Sequence, residues 1–121
     1  MAVSPGASRS DLEEMDRSLR AAIADRRLVE FTLGGLPRVA EPHDYGIIAG
    51  VAKLFFYQVG GQSRSASPNG WRWAELTKIE GLRTLHDRER FAGTRPTASG
   101  RHVHWDVLFA TVSPRAVTGG V

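Results

Sequence analysis

Between Tyr57 and Lys78 the sequence gathers side chains suited to recognising an anion or a nucleotide. Arg64 and Arg72 carry guanidinium forks, which match phosphate or carboxylate oxygens two at a time. Tyr57, Gln58, Ser63 and Ser65 add hydroxyl and amide groups that could orient sugar or base edges. Trp71 adds a ring on which a base could stack, and Lys78 a further positive charge. These eight residues form the candidate ligand-binding set. The neighbouring bulky residues Phe55, Phe56 and Trp73 read first as core.

Other chemistry has less support. His102 and His104, with Asp106, form H-x-H-x-D, which on a strand would turn all three toward one face and could chelate zinc. No other histidine is tied to them by spacing, so an exposed histidine pair is the simpler reading, and neither a metal site nor a cofactor is expected. The chain has no cysteine and no G-x-S-x-G elbow. Glu30, Glu41 and Glu75 fall at strand positions, but nothing in their spacing pairs them for acid–base work. No P-loop or dinucleotide fingerprint is present. The sequence is therefore expected not to encode an enzyme.

The elements that position these groups follow from composition and pattern. A chain of 121 residues, 41% hydrophobic and 24% charged, has the size and balance of one globular domain. No stretch has the apolar length of a signal peptide or a membrane span, so a soluble, cytoplasmic protein without membrane contact is expected. Charge is uneven. Residues 1–60 carry seven Lys/Arg against eight Asp/Glu, a net of −1, and residues 61–121 carry nine against five, a net of +4, which together give +3. The basic second half suits a phosphate-bearing partner.

Residues 1–9 read as a flexible lead. Ser10 and Glu13 form an S-x-x-E capping box for a helix over about residues 11–27. Leu12, Met15, Leu19, Ala22 and Ile23 make one apolar stripe, and Arg26 and Arg27 supply positive charge to the last turn. Val29, Phe31 and Leu33 alternate on a strand, Gly34-Gly35 turn it, and the return strand, Arg38 to Glu41, stops at Pro42, which has no N–H. A second hairpin rises through Tyr45 to Ile48, turns at Gly50 and returns from Leu54 to Val59. After a loop rich in serine, Trp71 to Ile79 alternate as another strand, and Leu82 to Leu85 make a short strand or turn. Residues 92–101 read as a connector, and HVHWDVLFATV as a short helix or edge strand. The expected fold is mainly β with one N-terminal α-helix. It is a small antiparallel barrel over residues 10–91, with a connector and C-terminal capping segment over 92–121.

The order of these pieces resembles the WYL domain, an Sm-like or SH3-like module usually found as the sensor half of bacterial transcriptional regulators. The similarity begins in LRAAIADRRLVEFTLGG and continues through RVAEPHDYGIIAGVAKLFFYQ with its Glu-Pro-His. It ends in WRWAELTKIEGLRTL, so it spans about residues 19–91. The family's naming Trp-Tyr-Leu falls on Lys53, Leu54 and Phe55. Trp71 and Arg72 match the family, whereas Glu75 and Lys78 stand where it carries arginines. The resemblance implies a non-enzymatic sensor domain for a small anionic or nucleotide-derived ligand, with Arg72 and Arg64 as anion contacts. No helix-turn-helix precedes the domain, so a complete regulator of the usual design is not expected. Two further readings stand beside this one. The chain could be a protein-interaction or homodimerising module through an exposed strand edge or its apolar C-terminal segment, or an Sm-like binder of single-stranded nucleic acid.

Overall fold

The computed structural model describes residues 8–62, 69–95 and 104–112. Helix α1, Arg9–Asp25, starts earlier than the S-x-x-E pattern suggests. The capping box is made by Ser8, whose Oγ accepts from the Asp11 N–H at 3.1 Å, while the Asp11 carboxylate accepts from the Ser8 N–H at 3.2 Å. The helix also stops sooner. Arg26 turns left-handed at φ 55° and its N–H bonds back to the last turn, so Arg26 and Arg27 lie beyond it. The expected apolar stripe is the buried one, with Met15, Leu19, Ala22 and Ile23 facing inward.

Six strands follow: β1 Val29–Leu33, β2 Leu36–Ile48, β3 Val51–Gly61, β4 Gly70–Glu75, β5 Ile79–Thr84 and β6 Val107–Thr111. All pairings are antiparallel, in the order β4-β3-β2-β1-β5, with β6 added on β2. The fold is thus mainly antiparallel β with one N-terminal helix, and the C-terminal segment is a strand.

Two strand boundaries differ from those expected. Pro42 does not end a strand, because β2 runs 13 residues straight through it. β1 pairs with β2 only up to Ala40, and β6 takes over that edge from Asp44, so Pro42 sits in the gap between the two partners. A bulge at the same point makes His43 an extra residue between Pro42 and Asp44. Proline is tolerated at such places because no continuous ladder needs its missing N–H. The strand expected from Trp71 to Ile79 is instead broken at Leu76–Lys78 by one 3-10 turn, and Ile79 opens β5.

That turn dictates the shape of the sheet. β4 and β5 lie at opposite ends of the strand order, which in a flat sheet would separate them by about 19 Å. Three 3-10 residues advance only about 6 Å. The sheet must therefore curl until its ends approach, although its ladder stays open, with no β4–β5 pairing among the described residues. Inside the curl, α1 packs on Val29, Phe31, Ala40, Tyr45, Leu54 and Phe56. Tyr45 also donates to Asp16 at 2.7 Å. Burial pushes the phenol pKa up, and the adjacent Asp16 carboxylate pushes it further.

Candidate functional site

The curled sheet has an inner face under α1 and an outer face, and strand alternation deals the candidate residues between them. On β4, Arg72 points inward with Ala74, while Trp71 and Trp73 point outward. On β3, Gln58 points inward with Leu54 and Phe56, while Tyr57 and Phe55 point outward. The cross-strand pairs Phe56–Arg72, Phe55–Trp73 and Tyr57–Trp71 fix this assignment, because directly opposed residues share a face. The four candidates on β3 and β4 are therefore divided between two faces, back to back.

The inner site is organised by Gln58, whose residue is 0% exposed. Its Oε1 accepts from Arg72 Nε at 3.0 Å and from Arg38 Nη1 at 3.2 Å, and its Nε2 donates to the carbonyls of Gly60 and Gln62 at 3.0 and 3.1 Å. All four hydrogen-bonding positions of the carboxamide are used, and its orientation is unambiguous because guanidiniums only donate and carbonyls only accept. Arg38 also donates to the Leu33 carbonyl at 3.1 Å. Gln62 closes the same corner through its N–H to the Pro37 carbonyl. Gly61 is needed here: it has φ 88°, and a Cβ would lie 2.4 Å from the Pro37 oxygen. The outcome is two guanidiniums brought together on one neutral oxygen.

The outer site is built on a row across three strands, Glu41 on β2, Tyr57 on β3 and Trp71 on β4, each opposite the next. His43, two residues beyond Glu41 on β2, lies on the same side. His43 Nε2 lies 3.0 Å from Glu41 Oε1, and its ring meets Trp71 edge-on at 4.7 Å and Phe91 at 5.3 Å. Arg95 closes over the row. Its Nε and Nη2 donate to the two Glu41 oxygens at 3.0 and 2.9 Å, and its guanidinium carbon stands 3.7 Å above the Tyr57 ring. Burial pushes the Glu41 carboxyl up, but the hydrogen bonds from His43 and Arg95 outweigh it and hold the pKa below its ordinary value. Next to this cluster Phe55 stacks on Trp71 at 4.8 Å and touches Trp73 at 4.5 Å, and Trp105 reaches Trp73 at 5.6 Å. Trp105 crosses β2 at Gly46, where a Cβ would come 2.8 Å from the indole.

The remaining candidates fall elsewhere. Lys78 is exposed on the 3-10 turn. Ser63, Arg64, Ser65 and His102 lie outside the described residues, and His104 is exposed. Among the described residues no group of three His, Cys, Asp or Glu could hold a metal ion, and no helix is long and apolar enough to cross a membrane. Glu75 on β4 is directly opposite Lys53 on β3.

Glu41, His43 and Arg95 were not among the candidates, and Arg38 on the inner face was also missed. One signal was available. Glu41 and His43 are two apart on a strand, which puts them on one face. Arg95 is 54 residues further on, and no spacing rule reaches it. Comparison of the chain with known protein families, curated proteins and solved structures finds no match.

Proposed function

We propose that this chain is a non-enzymatic, WYL-like ligand-binding domain of the cytoplasm, and that it takes a small anionic or nucleotide-derived ligand beside Arg72. The convergence of Arg38 and Arg72 on Gln58 carries this reading. A buried carboxamide that holds two guanidiniums side by side concentrates positive charge with little freedom left to lose, which favours capture of a phosphate or carboxylate. In sequence, the segment with Ser63, Arg64 and Ser65 follows directly on Gln62. The curl of the sheet along β4-β3-β2-β1-β5, whose end strands are linked by one 3-10 turn, supports an Sm-like or SH3-like barrel as the scaffold.

The test is titration of nucleotides, cyclic dinucleotides and short single-stranded oligonucleotides against the wild type, Arg72→Lys and Arg72→Ala at low salt. Arg72→Ala should weaken binding by about tenfold or more, and Arg72→Lys, which keeps the charge but loses the fork, by less. Unchanged affinity in Arg72→Ala, with folding verified by thermal melting, would remove the site assignment. Oligonucleotide binding that falls steeply with salt would move the reading to single-stranded nucleic acid.

A second reading, a protein-interaction or dimerising module, is favoured by one observation. Val107 and Leu108 on β6 are 47% and 45% exposed. Sedimentation should then show a concentration-dependent dimer that Leu108→Lys abolishes, and a monomer at all concentrations would count against it.

A further inference from the structure

The outer site has the parts of a receptor for a cationic side chain. Glu41 supplies a carboxylate whose side chain is only 9% exposed, and the Tyr57 ring supplies a π-face directly opposite it in the sheet. His43 holds Glu41 Oε1 independently of Arg95, and is itself wedged between Trp71 and Phe91, so the acceptor is oriented before any cation arrives. A carboxylate beside an aromatic face binds a planar guanidinium by two parallel hydrogen bonds and by cation–π attraction together.

Arg95 occupies this place in a replaceable manner. Its side chain is 37% exposed, four times as much as the Glu41 it pairs with. Among the described residues, Ala92 to Arg95 make no backbone hydrogen bond, and the hydrogen bonds that tie Arg95 to the sheet are those of its side chain. A cavity of about 330 Å³, lined by Glu41 and by Ala92 to Arg95, opens beside the ion pair. That is room for an incoming side chain to reach the carboxylate. Leaving Glu41 buried and unpaired would be costly, so one cation must exchange for another.

We infer that the Glu41–Tyr57 notch is a guanidinium-recognition site, occupied in cis by Arg95 and open to the arginine side chain of a partner peptide that displaces it. The site lies on the face of the sheet opposite Arg72 and does not rest on the anion-binding reading. Arg95 acts as an internal competitor, lowering the apparent affinity for a peptide by the fraction of time the notch is closed.

The probe is acetyl-Gly-Arg-Gly-amide, with its citrulline counterpart as the uncharged control, titrated by calorimetry against the wild type, R95K, R95A and R95A/E41Q. R95A should bind the arginine peptide about tenfold or more tighter than the wild type, citrulline should not bind, and R95A/E41Q should lose the gain. R95K, whose ammonium cannot make the two-pronged contact, should fall between wild type and R95A, and it carries the test should R95A fail to fold. Equal affinity in wild type and R95K, or citrulline binding as well as arginine, would overturn the proposal and leave Arg95–Glu41 as a structural ion pair.

Discussion

The inner and outer faces of β3 and β4 solve the same problem, burying charged or polar groups in a sheet, in opposite ways. Inside, the buried centre is a neutral carboxamide, and the charges belong to the arginines around it. Gln58 is tied at every position to backbone or to strand-borne side chains, so nothing there can leave without orphaning another group. Outside, the buried centre is itself charged, and its guanidinium counter-ion arrives on an irregular segment. The neutral hub is held wholly by backbone and strand-borne groups, whereas the charged hub depends on a guanidinium from outside the strands.

The largest break in this comparison is expected at its rigid side. Gln58→Leu removes one acceptor from two guanidiniums and two donors from backbone carbonyls, and should cost about 3–4 kcal/mol of stability. Urea denaturation measures this directly, and a loss below about 1 kcal/mol would mean the carboxamide is not the hub.

Next comes Glu41→Gln, with an expected cost of about 1–2 kcal/mol at neutral pH. Its sign with pH is the sharper readout. Because Glu41 titrates below its ordinary 4.5 in the fold, its stabilisation is fully present above that value and is lost as pH falls through the lower folded-state value. Asp16 and Asp25, also held low, remain in both proteins. The wild type should therefore lose its advantage over Glu41→Gln on acidification below about pH 4.5, and parallel stability curves would show that Glu41 does not contribute. The smallest effect tests whether the faces are separate at all. In the double variant Gln58→Leu/Glu41→Gln the two losses should add to within about 0.5 kcal/mol, since the two hubs share no hydrogen-bonding partner.

Much of the architecture was legible in the residues. The α1 stripe, the Gly34-Gly35 hairpin and the turn at Gly50 rest on local rules, and each element formed where its pattern lies. The alternation that places Trp71 and Arg72 on opposite faces was also in the sequence, although grouping by proximity along the chain put both in one set. The course of β2 was not legible. Proline normally ends a strand, and only knowing that β1 leaves at Ala40 and β6 arrives at Asp44 makes Pro42 acceptable. The 3-10 break after Glu75 was equally hidden, because an alternating pattern does not record where the chain must turn from one edge of a curled sheet to the other.

By itself, then, the sequence determined the helix, the hairpin turns and the alternation of side chains within each uninterrupted stretch of strand, since periodicity and turn chemistry act within a few residues. Tertiary structure alone decided which distant groups meet. Arg38 comes to Gln58 from 20 residues away and Arg95 to Glu41 from 54. Such contacts depend on strand register and on a one-residue bulge, and shifting either by one position would turn every side chain involved to the other face.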